Sequence, residues 1–533
     1  MEPTFVETDD DLPKKVDYVV AAALAHKTAL LRLRNWLRCP LLQLPTETFV
    51  QILSYIMEDP EHPHAWRPIF STCYRIHTTM STTTDLWRKA DFSVDRTAHL
   101  AFARSAGNLH EITVAFWSGD NELDWSTQAA MDFCRDNLVL NGYGLHTVDI
   151  TGFPPDVPHW SWIFERPLPR LNRLKIHFFP SDEDAPFMPA PVDIQLPTDL
   201  PLRVLDLQNA KLPWSSNLFT GLTELHLDFS NCHTSTEIPE DDLLRILSAS
   251  PRLERLSLVD LRPTVPGMDE PQLAPTRTIR LPSLIFLKVD HLPEIVAPIL
   301  SHLDTPAIAS FEIHSQVSNW EVELYLDSYF PDDHLLDRVL PNPPIFEVWT
   351  RVGGGFEDSM IVKIGSAEMR FDFDMDERDL ACANIMACIH PFVPTSVTTI
   401  ELGYTGLDEE GWSEFFSVRP EIRSIESTKD IWPPATSDTL WDALSATSTD
   451  TVPLCPKLES VSIYHIPDPA SLLNCLRSRK NAGCVLRRLK LWGVDGAVAK
   501  EFSSLVEELQ ILSKPVRPTE RVRLASMDQP DMC

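Results

Sequence analysis

The chain has 533 residues, too many for one hydrophobic core, so its length favours several domains or one long array of repeats. Its 46 lysine and arginine residues stand against 77 aspartate and glutamate residues, a formal net charge of −31. This charge argues against nucleic acid or an anionic membrane as the main partner, because both attract basic surfaces.

The cysteine pattern and the apolar runs indicate where the chain resides. Its ten cysteines include no Cys-x-x-Cys pair, which disfavours a zinc ribbon. No apolar run approaches the roughly 20 residues that span a bilayer, and the N-terminal segment is acidic without an apolar signal core. We expect a cytoplasmic or nuclear chain with free thiols, no metal and no cofactor.

The first predicted element is a helix over residues 16–37, in which Val20, Leu24 and Leu31 recur at helical spacing. Pro40 should end it, because proline cannot continue a helix that precedes it. A second helix is predicted from Pro45, which suits a first helical position, with the acidic Glu47 in its first turn.

The second helix carries an apolar stripe with i, i+3, i+4, i+7 spacing, formed by Phe49, Ile52, Leu53 and Ile56. A third helix is predicted from about residue 67, and we expect it to end within residues 78–84 because the threonine and serine residues there are poor helix formers. Two large anchors follow in a short turn, Leu86 and Trp87.

This order of features over about residues 40–92 resembles the F-box, in particular that of F-box proteins from fungi. The residues that match the motif are Leu44, Pro45, Glu47, Ile52, Leu53, Trp66, Ile69, Cys73, Leu86 and Trp87. The chain departs from the family at Ile76, where an aromatic residue is usual.

The resemblance implies that the segment docks the adaptor subunit of SCF ubiquitin ligases and, through it, a cullin. The adaptor-binding residues would then be Leu44, Pro45, Glu47, Phe49, Ile52, Leu53, Ile56, Ile69, Leu86 and Trp87. So small a segment is not expected to bury the whole stripe by itself, and an exposed apolar patch is normally covered by a partner. The alternative is an ordinary three-helix cap on a repeat domain.

A six-residue unit with apolar first, fourth and sixth positions recurs along the rest of the chain. Its copies begin at Leu109, Leu145, Leu171, Leu202, Leu222, Leu253, Leu284, Ile308, Val397, Leu458 and Leu486, with a degraded copy at Ile422. Where the copies are dense, between residues 171 and 284, they start 20 or 31 residues apart.

These units resemble degenerate leucine-rich repeats, although Asn209 comes one residue earlier than the consensus asparagine. The fold class predicted is α/β, an all-helical F-box followed by an irregular solenoid similar to leucine-rich repeats. The alternative is a generic α/β fold with crossover helices.

The stretch at about 316–395 breaks the repeat pattern with alternating strands, and Gly365 and Ser366 between two of them suggest a hairpin. It is either an antiparallel insertion or a set of repeats without helices. The predicted domains are residues 1–40 (acidic tail and helix), 41–92 (F-box), 93–513 (repeats) and 514–533 (a loose tail).

Catalytic and metal motifs are lacking, so we do not expect an enzyme. The calcium-like run from Asp372 has Glu377 where glycine is needed and Ala383 where a bidentate glutamate belongs. Function should lie on the outward face of the repeat strands, where a protein substrate would bind. The candidate residues are Arg173, Lys175, Asp206, His226, Asp228, Arg255, Lys288, Tyr464, Arg488 and Trp492.

The sequence therefore predicts a substrate-recognition subunit of an SCF-type ubiquitin ligase, with an adaptor, a cullin and an unknown protein substrate as partners, and neither nucleic acid nor membrane. The alternative is a non-degradative interaction scaffold with a structural F-box-like cap.

Overall fold

The computed structural model describes most of the chain in segments. They are residues 12–57, 73–91, 109–115, 144–153, 161–179 (without 166), 188–232 (without 189 and 199), 236–264, 278–291, 299–316 (without 301), 345–352, 357–364, 367–374, 395–427 (without 404), 438–445, 453–464 and 469–512 (without 493 and 495), with the single positions 69, 101, 104, 105, 135, 382, 385, 386 and 393. The acidic N-terminal tail, Trp66 and the tail from residue 514 lie outside these residues.

The chain divides into two compact units. The first comprises Met1–Pro186 and Gln195–Leu202, and the second comprises Phe187–Ile194 and Arg203–Cys533. The domain boundaries predicted from the sequence remain predictions.

The first unit begins with helices. Helix α1 spans Leu12–Arg38, α2 spans Thr46–Met57 and α3 spans Tyr74–Thr82, with 3₁₀ turns at Pro40–Gln43 and Thr84–Trp87. Pro40 stands at the start of the first 3₁₀ turn, so α1 ends before it as predicted.

Helix α3 begins at Tyr74, later than the predicted residue 67, and ends at Thr82, within residues 78–84 where its end was predicted. Ile76, Thr79 and Met80 lie at i, i+3, i+4 spacing and are buried. Packing of this face outweighs the weak helix propensity of threonine, which amounts to a few tenths of a kcal/mol per residue. Cys73 caps the helix, since its Sγ accepts a hydrogen bond from the Ile76 amide at 3.4 Å.

Four parallel strands follow in the first unit: β1 Lys89–Asp91, β2 Glu111–Ala115, β3 Thr147–Gly152 and β4 Arg173–Phe178. They pair in chain order. A 3₁₀ turn at Ser161–Glu165 lies between the last two strands along the chain.

The second unit is a mixed α/β structure built on a long sheet. Its strands are β5 Val192–Asp193, β6 Val204–Gln208, β7 Ala210–Lys211, β8 Glu224–Asp228, β9 Thr236–Pro239, β10 Arg255–Val259, β11 Leu261–Thr264, β12 Ile279–Arg280, β13 Phe286–Asp290, β14 Leu303–Asp304, β15 Ser310–Gln316, β16 Ile345–Val352, β17 Glu357–Ile364, β18 Ala367–Asp374, β19 Thr399–Leu402, β20 Ser424–Ser427, β21 Ser460–Ile463, β22 Leu486–Trp492 and β23 Val506–Leu512. Its helices are α4 Glu240–Ser248, α5 Glu409–Ser417, α6 Asp438–Ser445, α7 Pro469–Asn481 and α8 Gly496–Ser503, with a 3₁₀ turn at Asn217–Phe219.

The main sheet of this unit has the order β6-β8-β10-β13-β15-β18-β17-β16-β19-β20-β21-β22-β23 among the described strands. Every neighbouring pair is parallel except those that β17 makes with β16 and β18. The described strands of the irregular section therefore form an antiparallel insertion within the sheet, in which Ile364 of β17 pairs with Ala367 of β18. The predicted hairpin residues 365 and 366 lie outside the described residues.

The predicted burial pattern is confirmed in every full copy of the repeat. The first, fourth and sixth residues are buried throughout; in one copy Leu202, Leu205 and Leu207 are 4%, 0% and 0% exposed. The degraded copy places Ser427 at its sixth position and buries it too. These residues pack into the core on one face of the sheet, and the strand positions between them lie on the opposite face.

Two turns explain how the main strands pass into smaller two-stranded sheets. Asn209 follows β6 with φ 54°, and Asp260 follows β10 with φ 51°, both in the left-handed region. Asn209 leads directly into the short strand β7, which pairs with β5. Asp260 leads directly into β11, which pairs with β9. Asparagine and aspartate tolerate this conformation better than most residues, so the early asparagine of this repeat serves as a turn residue.

Crossover helices lie between several strands. Helix α4 buries four apolar residues, Leu243, Leu244, Ile246 and Leu247. Further along, the buried Arg419 donates hydrogen bonds to the carbonyls of Val393 (2.7 and 3.2 Å) and Phe415 (2.9 Å), which holds α5 to the loop before β19. Burial lowers the pKa of Arg419 to about 10, so it stays charged at neutral pH.

Candidate interaction surfaces

The F-box-like region has a core of its own in the first unit. Phe49 and Leu53 of α2 are 0% and 2% exposed, and Met80 and Trp87 are equally buried. The Trp87 indole Nε1 donates a hydrogen bond to the Met80 carbonyl, which joins the Leu-Trp anchor to α3. The segment therefore folds around the predicted residues.

Arg75 ties the Leu-Pro segment to α3. Its guanidinium donates hydrogen bonds to the carbonyls of Leu42 and Leu44, the latter at 2.6 Å, and lies 5.2 Å from the Phe49 ring centre. These contacts fix the start of α2 against α3. No periodicity in the sequence marks Arg75, because its partners are main-chain atoms more than 30 residues away.

The expectation that so small a segment does not bury its whole stripe is confirmed: Phe49 and Leu53 are buried, whereas Ile52 and Ile56 are only half-buried. Four of the predicted adaptor-binding residues are buried within the chain and present no apolar surface to a partner: Phe49, Leu53, Leu86 and Trp87. Packing within the chain supplies the cover that the sequence assigned to another subunit.

The other predicted adaptor-binding residues remain accessible. Pro45 and Glu47 are exposed, and those that are half-buried are Leu44, Ile52, Ile56 and Ile69. Leu41 and Tyr55 add 40% and 77% exposed apolar side chains to the same segment. An accessible surface around Ile52, Ile56 and Tyr55 thus persists beside the buried core.

The outward face of the main sheet carries polar side chains in rows across neighbouring strands. One row runs Asp206, His226, Ser257, Lys288 and Glu312, at matched register from β6 to β15. The sequence predicted three of these residues as substrate contacts. The parallel register brings them side by side.

His226 lies between two carboxylates. Its Nε2 is 3.9 Å from Asp206 Oδ1 and 4.0 Å from Asp228 Oδ2. Arg255, on the next strand, is exposed and has its guanidinium 4.5 Å from the ring centre of Phe286. The face here offers both signs of charge and an aromatic ring, a composition suited to protein recognition.

Carboxylates gather near the ends of β8, β10 and β13. Burial, followed by repulsion from Asp290 and Asp228, raises the pKa of Asp260 to about 6. Asp290 also forms a hydrogen bond with the His314 ring, with Nδ1 of the histidine 3.1 Å from Oδ2 of the aspartate. The His291 pKa is lowered to about 4, mainly by burial.

Three glutamates face one another farther along the sheet. Glu347, Glu401 and Glu426 occupy matched positions on β16, β19 and β20. Burial, then the charges of Glu347 and Glu426, raise the pKa of Glu401. Like charges directly opposite each other destabilise a sheet. Binding of a basic group beside these three glutamates would relieve that repulsion.

The last strands carry an aromatic pair. Tyr464 and Trp492 stack with ring centres 3.9 Å apart and an interplanar angle of 20°. Arg488 lies on the same face, where its Nε is 3.1 Å from Glu508 Oε2. The structure thus brings Tyr464, directly after β21, into contact with Trp492 at the end of β22, and places the third predicted residue, Arg488, four residues earlier on the same strand.

The predicted substrate-binding residues do not form one site. The first four strands of the main sheet carry Asp206, His226, Asp228, Arg255 and Lys288, whereas Tyr464, Arg488 and Trp492 lie on or directly after its final strands. Two others belong to the sheet of the first unit, Arg173 and Lys175 on β4.

Within the described residues, no group of three or more His, Cys, Asp or Glu side chains could hold a metal ion. No helix in the same part of the chain combines the length and the apolarity that a membrane crossing requires.

Comparison with known proteins assigns the chain to no family. No protein-family model matches the chain, and no curated protein matches it. Among solved structures, it is similar to the leucine-rich repeat-containing protein LegL7 from Legionella pneumophila, with 10% identity and a TM-score of 0.24, over 55% of this chain and 84% of that one. So low a TM-score supports neither a shared family nor a shared function. The repeat architecture rests on the register and burial of the strands.

Proposed function

We propose that this chain is the substrate-recognition subunit of an SCF-type ubiquitin ligase. In this proposal, the F-box-like segment docks the ligase adaptor, and the outward sheet faces bind a protein substrate. The chain itself performs no chemistry. It raises the effective concentration of the substrate near the ubiquitin-conjugating machinery.

The observation that carries the proposal is the small helical core around Phe49, Leu53 and Trp87, since Leu53 and Trp87 are among the residues on which the F-box resemblance rests. Beside this core lies the accessible patch of Ile52, Tyr55 and Ile56. Fully burying an apolar side chain of this size contributes about 1.5–3 kcal/mol. The adaptor would therefore contact the patch, together with Leu44, Pro45, Glu47 and Ile69, rather than the buried residues.

Accessible polar rows on the main sheet support the second half of the proposal. The faces around His226 and around Trp492 each combine charged and aromatic groups on neighbouring strands. Side chains on rigid strands are held in place before binding, which lowers the entropic cost of association.

Binding of purified adaptor to the full chain, measured by calorimetry, tests the proposal. Replacing Ile52 and Ile56 with glutamate should abolish adaptor binding, because two charges would enter an apolar contact. Gln51→Glu is the control, since Gln51 is exposed on the same helix and gains one carboxylate where the test variant gains two. It should leave adaptor binding unchanged.

Two results contradict the proposal. One is that the intact chain does not bind the adaptor. The other is that it binds the adaptor equally well with and without the two glutamates.

The burial of Phe49, Leu53 and Trp87 also favours a second candidate, an interaction scaffold in which the helices form a purely structural cap. Ubiquitin transfer to a bound substrate in a reconstituted ligase separates the two. A ligase subunit promotes transfer through the chain, whereas a scaffold binds its partner without it.

A further inference from the structure

Helix α1 leaves its apolar residues in solvent. It is 27 residues long, which corresponds to about 40 Å. Ten of its large apolar side chains are between 41% and 76% exposed, and of its side chains from residue 15 to residue 38 only that of Asn35 is even half-buried. A surface helix normally buries its apolar stripe, so α1 reverses the usual arrangement.

Contact with the rest of the first unit uses the polar side of α1. The Arg32 guanidinium lies 3.6 Å from the ring centre of Tyr74, and Gln43 donates a hydrogen bond of 3.1 Å to the Trp36 carbonyl. At 100° per residue, Arg32, Asn35 and Thr28 share one side of the helix. The exposed apolar side chains are spread over about 240° of the remaining circumference.

The apolar residues form two stripes with basic residues between them. Val20, Leu24 and Leu31 form one stripe, and Leu30, Leu33 and Leu37 form the other. On a helical wheel, Lys27 and Arg34 project between the two stripes. A partner must therefore cover two sides of the helix at once and accommodate the positive charges of Lys27 and Arg34 between the two stripes.

The charge of α1 is opposite to that of the whole chain. It holds six basic residues and one acidic residue, and residues 24–38 hold four basic residues and no acidic one. The chain as a whole carries −31. The charge of the helix is therefore complementary to an acidic partner.

Two other occupants fit less well. A second copy of α1 would cover one stripe, leave the other in water and place basic residues beside basic residues. An anionic membrane takes up one apolar side of a helix with the polar residues opposite, whereas Lys27 and Arg34 lie in the middle of the apolar arc of α1.

We propose that α1 is the target helix of an acidic calcium-sensor protein of the EF-hand type, whose two lobes close around it. Such lobes expose apolar grooves when they bind Ca²⁺ and accept basic, apolar helices. One lobe covers the Leu24 stripe and the other covers the Leu30 stripe, while acidic rims face Lys27 and Arg34. This inference does not depend on the proposed ligase role.

The test uses the full chain and calmodulin as the probe. Calorimetry in Ca²⁺ should show one calmodulin bound per chain, and binding should disappear in a calcium chelator. The variant Leu24→Glu with Leu30→Glu places one carboxylate in each stripe and should weaken binding at least 100-fold. Because neither side chain is buried, this variant should keep the thermal midpoint of the unaltered chain.

The control variant Ala21→Glu with Thr28→Glu adds the same two charges on the side that carries Arg32, at positions that are also exposed. It should change calmodulin affinity less than threefold. Equal loss in both variants overturns the proposal, because the effect would then follow charge and not the stripes.

Three further results overturn it. They are failure of Ca²⁺-loaded calmodulin to bind, equal binding with and without calcium, and α1-dependent self-association seen by light scattering in place of calmodulin binding. Cosedimentation with phosphatidylserine vesicles without calmodulin binding would assign the helix to a membrane surface and also overturns it.

Discussion

The Arg479 guanidinium donates a hydrogen bond of 2.9 Å to the Cys455 carbonyl and another of 2.8 Å to the Leu454 carbonyl. Arg479 lies in the last turn of α7 and is 1% exposed. Cys455 has a left-handed backbone with φ 50°, and its Sγ donates to the Arg419 carbonyl at 3.7 Å. A buried charge thus fixes a strained loop before β21 to the helix after it.

Replacing Arg479 with methionine should destabilise the second unit, because two buried carbonyls lose their donors. Each such loss costs about 1–3 kcal/mol. Hydrogen exchange of the amides of β21 and β22 should report the change as faster exchange. Arg477→Met is the matched control on the same helix, since Arg477 is half-exposed and its ion pair with Glu501 is worth about 0–1 kcal/mol. Equal acceleration in both variants would contradict this account.

Asp260→Asn should stabilise the chain at neutral pH. The folded-state pKa of Asp260 is about 6, above its usual 3.8, so the folded state binds more protons than the unfolded state between those values. Stability therefore falls as pH rises through this window, and the cost is fully present above about pH 6. Asparagine removes the charge and tolerates φ 51°.

The thermal midpoint of Asp260→Asn, minus that of the unaltered chain, should increase from pH 5.5 to pH 8. Asp241→Asn is the control, because Asp241 is exposed in the first turn of α4 and stabilises the helix dipole. It should give no gain at any pH. A constant gain for Asp260→Asn across this range would contradict the assigned pKa.

Leu53→Ala should destabilise the helical core of the first unit by about 2–5 kcal/mol, as expected for a buried leucine that leaves a cavity. Ile52→Ala, one residue away and half-buried, should cost less. Limited proteolysis within residues 40–91 measures the difference. If both variants are cleaved at the same rate, the burial of Leu53 does not stabilise this core.

Gly483→Ala should destabilise the end of α7 by about 1 kcal/mol, because Gly483 has φ 79° and alanine is strained there. The Gly483 amide donates to the Lys480 carbonyl, and the Cys484 amide donates to the Arg479 carbonyl, which is the Schellman arrangement. Gly496→Ala, at the start of α8, has open space and no such φ, so it should be neutral or stabilising. The thermal midpoints of the two variants should differ in this direction.

Local periodicity was enough to locate most strands and several helices. Leu202, Leu205 and Leu207 occupy positions one, four and six of a repeat, and this spacing leads to one buried face whatever the neighbours are. The stripe of α4 is equally local. Strand order in the insertion is not, since β16 pairs with β19 and β18 with β15 across long stretches of chain.

The candidate surfaces were predictable only in part. The apolar stripe of α2 indicates that something covers Phe49 and Leu53, but periodicity does not distinguish a partner from α3 of the same chain. The outward positions of the strands followed from alternation. The separation of His226 from Trp492 depended on the number and order of intervening strands, which the sequence left open.

The antiparallel insertion also bears on how the second unit would come apart under load. In a repeat array each strand is held by its immediate neighbours, so a pull at one end peels strands off in succession. The parallel seams pair five residues at β10–β13 and four at β19–β20, whereas the β17–β18 seam pairs eight. Peeling should pause at this longer seam, so that the unit unravels in two mechanical stages.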